Sequence, residues 1–118
     1  MNLVGTYELT SGERDGKTLT PERVQHTTVT FTDSEVTVAN RDRGDIYKAK
    51  YVIEPGTDPC HITMTATAAP DSGDVVEGLI DRNRDTVRLI YALPGKPTPT
   101  GFKTGPGELL FVMSPRKA

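Results

Sequence analysis

The sequence predicts an all-β fold, a single antiparallel up-and-down barrel of about eight strands, and three observations predict it. Apolar and polar residues alternate with a period of two over most of the 118 residues. Turn-forming dipeptides punctuate the alternation, so each run is short and its neighbour in sequence is its natural partner. Only one stretch, Thr20-Pro21-Glu22-Arg23-Val24, carries the start chemistry of a helix, with Thr before Pro at a first helical position, and it is long enough for one turn near residues 20–24.

The strands follow in order. Leu3, Gly5, Tyr7 and Leu9 share one face of the first, opposite Val4, Thr6, Glu8 and Thr10. Asp15-Gly16 favours a tight hairpin turn, and the segment before Leu19 is a candidate ninth strand. Residues 27–32 and 35–38 form a hairpin about Asp33-Ser34, with Val29, Phe31, Val36 and Val38 inward. In residues 46–53 the charges of Lys48 and Lys50 choose the outer face and leave Tyr47, Ala49, Tyr51 and Ile53 inside; Pro55-Gly56 ends the strand. Ile62, Met64 and Ala66 are the inner set of the next, before a loop at Pro70-Asp71-Ser72-Gly73. Residues 75–80 are apolar on both faces, but Glu77 shares a side with Val75 and Leu79, which assigns Val76, Gly78 and Ile80 to the interior. After a turn at residues 81–85, Val87, Leu89 and Tyr91 face inward. An irregular excursion from Pro94 to Gly107 precedes a last strand with Leu109, Phe111 and Met113 inside. A sandwich is the alternative architecture; a barrel removes the exposed edges that a sandwich retains.

Composition narrows the function. The chain is one domain's worth, residues 1–118, and its hydrophobic fraction of 35% reflects strands in which Thr alternates with Val, Ile or Phe. Fourteen basic and sixteen acidic residues are interspersed for a net charge of −2, which argues against nucleic acid and anionic membrane as partners. The lone Cys60 has no internal disulfide partner, and the longest apolar runs fall short of a membrane span. Met1-Asn2 leads directly into a strand pattern, so no signal peptide is expected and a cytoplasmic location is the default; a mature secreted chain or an excised domain reads the same way.

The two ends of the pattern resemble the signature of lipocalin-like (calycin-type) barrels, Gly-x-aromatic in a first strand and a basic residue after the last, here Gly5-Thr6-Tyr7 and Arg116. The resemblance implies that Gly5, Tyr7 and Arg116 form a structural plug at one closed end. Motifs spread along nearly the whole chain are also similar to a family of small lipocalin-like domains of unknown function in planctomycete bacteria. They are Leu3-Val4-Gly5-Thr6-Tyr7, Asp15-Gly16-Lys17, Tyr51-Val52-Ile53-Glu54-Pro55, Pro59-Cys60-His61-Ile62-Thr63-Met64, Gly78-Leu79-Ile80, Asp85-Thr86-Val87 and Thr98-Pro99-Thr100-Gly101-Phe102. Three positions depart from that pattern: Tyr7 stands where Trp is usual, Thr98 where Arg is usual, and Arg84 where Gly often precedes the Asp. The resemblance implies a barrel and no established activity.

Motifs with catalytic overtones read better as structure. Gly12 to Thr18 echoes a phosphate-binding loop, but three residues rather than four separate its glycines and no long helix follows. Asp81-Arg82-Asn83-Arg84-Asp85 opens like a calcium loop, yet Thr86 replaces the required Gly and Ala92 the bidentate Glu. Cys60 and His61 point to opposite faces of a strand, and His26 adds too little for a zinc site. Glu8, Glu54 and Glu77 face outward with nothing to pair them. The sequence therefore predicts no enzyme, no metal and no cofactor.

Two functional expectations remain. Inward Phe31, Tyr47, Tyr51, Met64 and Leu89, with Phe102 from the excursion, would line a cavity for a small apolar or amphipathic ligand toward the mouth opposite the plug, or the same side chains fill a solid barrel. In the second case the protein is a structural or protein-interaction domain whose working surface is the 94–107 loop.

Overall fold

A computed structural model describes residues 3–40, 44–54, 59–67 and 73–115. Nine strands and one helical turn follow in order: β1 (Gly5–Arg14), β2 (Lys17–Thr18), α1 (Pro21–Val24), β3 (Thr27–Phe31), β4 (Glu35–Asn40), β5 (Gly44–Glu54), β6 (Cys60–Ala66), β7 (Val75–Asn83), β8 (Thr86–Ala92) and β9 (Glu108–Pro115). From β3 to β9 each strand pairs antiparallel with the next; β1 joins β3 on one side and β9 on the other, closing an eight-stranded barrel. β2 is an appendage on the far end of β1, paired at Glu13↔Thr18 and Arg14↔Lys17. Closure by β1 and β9 excludes the sandwich, because one continuous sheet has no second layer.

The period-two pattern puts the expected residues inside. Leu3, Tyr7, Val29, Phe31, Val36, Ile62, Met64, Ile80, Leu89 and Met113 form one buried cluster, while Lys48, Lys50 and Val52 stand exposed on β5. Val76 and Ile80 are buried and Val75 is exposed, as the position of Glu77 requires. Gly78 has a reason to be glycine: a Cβ there would run into the Ile90 carbonyl oxygen and the Tyr91 backbone, so its absence lets β7 and β8 coil tightly.

Some boundaries differ from expectation, each for a local reason. β1 continues past Thr10 to Arg14, because a bulge between Leu9 and Ser11 shifts its register and lets it follow β9. β4 reaches Asn40 and β5 begins at Gly44. β7 extends to Asn83, so the turn into β8 is only Arg84-Asp85, with Arg84 at φ 57°. Thr20 precedes α1 but its side chain makes no capping bond; the turn is closed by Val24 N–H donating to the Thr20 oxygen at 3.1 Å and Gln25 N–H to the Pro21 oxygen at 2.8 Å. The turns at Pro55-Gly56 and Pro70 to Ser72 lie outside the described residues.

Candidate functional site

The two ends of the barrel are finished differently. At one end the first turn of chain enters beneath the sheet. Leu3 is buried there, and the Tyr7 hydroxyl donates to its carbonyl oxygen at 2.9 Å. The Tyr7 ring meets Phe31 edge-on with centroids 5.8 Å apart, and Phe31 meets Tyr51 in the same way at 5.4 Å. The Tyr51 hydroxyl donates to the Thr32 carbonyl. Burial, then the Asp33 carboxylate and the neighbouring Tyr7, push the Tyr51 phenol above its ordinary value. Gly5, at φ 143°, adopts a backbone that side chains rarely take and pairs with Phe31. Tyr7 thus sits inside at a closed end; Arg116 lies outside the described residues.

At the other end α1 leads into β3, with Val24 packed on the core. Tyr47 from β5 and Tyr91 from β8 stack with centroids 6.5 Å apart and planes 15° from parallel, and Tyr91 meets Phe111 of β9 at 6.0 Å. These three rings make a shelf inside the mouth. The β8–β9 register opposes Leu89 to Phe111 and Tyr91 to Leu109, so Phe111 and Leu109 face inward. Yet Phe111, Leu109 and Tyr47 keep partial exposure, while Phe31, Met64 and Leu89 have essentially none. A side chain on the inner face of a closed barrel meets water only through a mouth or a gap in the wall.

Such a gap exists. Pairing of β1 with β3 stops at Glu8↔Thr28, where β1 bulges away toward β9. The separation leaves an open cleft of about 570 Å³ lined by Glu8, Leu9, Gln25, His26, Thr27, Thr28, Ala39 and Asn40. Leu9 and Thr27 are its buried members, and the Asn40 amide donates to Thr27 Oγ1 at 3.1 Å and to the Gln25 carbonyl at 3.5 Å. His26, leading out of α1 into β3, has φ 63°, a left-handed conformation that costs a non-glycine residue energy.

The six residues expected to line one cavity do not come together. Phe31, Met64 and Leu89 are fully buried parts of the core, and Tyr51 belongs to the closed end. Tyr47 alone is on the open shelf. Phe102 is not inside: its ring lies under the Arg88 guanidinium, 4.1 Å from centroid to Cζ, and Arg88 occupies the outer face of β8. Arg88 is also held in a two-pronged pair with Asp81, whose hydrogen bond raises the guanidinium pKa further.

The excursion that carries Phe102 is tied down across the outside of the wall. Ile90, Ala92 and Leu110 point outward by register and are nonetheless buried, with Pro99 and Thr104. Thr104 Oγ1 donates to Glu13 Oε1 at 3.0 Å and accepts from Gly16 N–H at 2.9 Å; Gly107 N–H donates to Asp15 Oδ1 at 2.7 Å. Thr98 reaches Glu77 Oε2 at 3.4 Å. The continuous apolar run Leu89-Ile90-Tyr91-Ala92 was the available signal for this second, outer core, since a strand covered on both faces loses its alternation.

Cys60 packs against the core and His61 faces the other way, half-buried, 3.8 Å from Glu77. Glu8, Glu54 and Glu77 stand on β1, β5 and β7, which are not neighbours in the sheet. Among the described residues no group of three His, Cys, Asp or Glu is placed to hold a metal ion, and no helix is long and apolar enough to cross a membrane. Comparison with known protein families, with curated proteins and with solved structures finds no match to this chain.

Proposed function

We propose that this protein is a non-enzymatic binding module that holds a small amphipathic molecule at the α1 end of its barrel, the apolar part resting on the Tyr47, Tyr91 and Phe111 shelf. The observation that carries this reading is the cluster of inward-facing Tyr47, Tyr91, Leu109 and Phe111 at the α1 end, of which Tyr47, Leu109 and Phe111 keep partial exposure. Apolar rings inside a concave mouth gain by exchanging water for hydrocarbon, at about 25 cal/mol per Å² removed from solvent. The resemblance to planctomycete lipocalin-like domains agrees with a barrel serving as a container. The alternative, a protein-interaction domain working through the 94–107 loop, asks for a loop able to change partners, whereas this one is anchored to β1, β7 and β8.

Titration with 1-decanol, followed by two-dimensional NMR, tests the reading. Saturable shifts are expected at the amides of Val24, Tyr47, Tyr91 and Phe111, and Phe111→Trp, which fills the mouth with extra ring, is expected to weaken binding about tenfold. Shifts that scatter over the outer surface, or none at all, overturn it.

A further inference from the structure

The three rings at the α1 end differ in what they show to solvent, and their mutual angles favour one kind of apolar group. We infer that the shelf takes a flat aromatic ring in preference to an alkyl chain, with Tyr47 and Phe111 as the rings that meet it; this rests on the proposed binding at the α1 mouth. Two observations carry it.

The first is the inclination of the rings. Tyr91 is buried and meets both of the others, lying 15° from parallel to Tyr47 and 71° from the plane of Phe111. Tyr47 and Phe111, the two that keep partial exposure, are therefore steeply inclined to each other. A flat ring laid on the face of either one turns its edge toward the other. Stacked and edge-on contacts are the arrangements that the negative face and positive edge of an aromatic ring favour, so one ligand ring satisfies both at once. An alkyl chain has neither face nor edge, and it loses internal rotation when it is held.

The second is the wall that sets the rings this way. Tyr47 and Tyr91 stand on β5 and β8, with β6 and β7 between them. The inward positions of those two strands at this end are Ala66, Val76 and Gly78, small enough for rings from either side to reach each other. On the far flank Gly12 of β1 opposes Phe111, and a Cβ at Gly12 would come within 2.7 Å of Leu19 Cδ1. Leu19 thus fills the place of a β1 side chain beside Phe111. The ring geometry is built into the wall by its small residues.

The experiment compares 2-naphthalenemethanol with its fully saturated counterpart, decahydro-2-naphthalenemethanol, and with 1-decanol. All three carry a primary alcohol on a hydrocarbon of similar size, and only the first has a π-system. Affinities are read from the amide shifts of Tyr47, Tyr91 and Phe111, which also report that the alcohol sits on the shelf. The naphthalene compound is expected to bind about tenfold tighter than the saturated bicycle, the worth of two aromatic pairs. Burial of apolar area alone gives no such preference, because the saturated compound has at least as much apolar surface. Phe111→Leu keeps an apolar side chain and removes one of the two rings, and is expected to reduce the ratio to about threefold. The ratio is taken within one variant, so a change common to both alcohols cancels. Equal binding of the two bicycles, tightest binding of decanol, or a ratio that Phe111→Leu leaves unchanged overturns this inference and leaves the mouth reading standing. Failure of all three alcohols to shift these amides removes both.

Discussion

Both ends of the barrel bring aromatic rings from neighbouring strands to its axis, and they differ in what is done with the rings' edges. At the closed end Leu3 runs beneath Tyr7, the Tyr7 hydroxyl returns to the Leu3 carbonyl, and Phe31 is gripped edge-on from both sides by Tyr7 and Tyr51. At the α1 end Tyr91 meets both Tyr47 and Phe111, and elsewhere in the same rim the β1–β3 ladder ends at Glu8↔Thr28. The lesson is that ring count does not distinguish a plug from a binding floor. Satisfied polar atoms and an unbroken strand ladder do, because each removes a route for water.

The sharpest way to break this comparison is to truncate one ring at each end. Phe31→Ala is expected to cost about 3–5 kcal/mol, a full core cavity, whereas Phe111→Ala, whose ring already meets solvent, should cost about 1–2 kcal/mol. Urea unfolding measures both; equal losses would mean that the α1 end is as sealed as the other. A smaller effect isolates the polar closure. Tyr7→Phe keeps the ring and removes the donor to Leu3, leaving a buried carbonyl without that partner, and is expected to lose about 1–2 kcal/mol without altering decanol binding.

The least effect compares backbone strain at the two ends. Arg84, at φ 57° in the β7–β8 turn, lies at the closed end, and Arg84→Gly should raise stability by about 0.5–1 kcal/mol with ligand affinity unchanged. His26→Gly at the other end should gain in stability similarly. Urea unfolding measures both; a loss in either variant would mean that its side chain contributes more than its left-handed backbone costs.

Most of the wall was legible from alternation. Val29, Phe31, Val36, Ile62 and Met64 face inward because their neighbours are Thr, Glu or His, and a register that buried those neighbours would be excluded. Tyr7 is buried on the face that alternation assigned to it; its role as a plug was what the resemblance to lipocalin-like barrels implied. Phe102 was misplaced because an irregular segment has no period, and only the three-dimensional return of the excursion shows that its ring meets Arg88 outside. The cleft was illegible for a related reason. Glu8, His26 and Asn40 lie far apart in sequence, and what unites them is the pairing of β3 with both β1 and β4, Glu8 opposite Thr28 and Asn40 opposite Thr27, which alternation within a strand does not announce.

The seam between β1 and β9 carries a consequence for how the chain reaches this state. From β3 to β9 every pairing joins strands adjacent in sequence, so hairpins form with little loop entropy to overcome. Tyr7 opposite Pro115 is the contrary case, a contact between the earliest and latest strands. Closure is therefore the slow event, and during synthesis β1 waits beside β3 with its other edge unpaired until β9 emerges. The Leu9 to Ser11 bulge interrupts that waiting edge, which makes it a poor template for a strand from another molecule. The irregularity that shifts the β1–β9 register in the finished barrel also guards the unfinished one against aggregation.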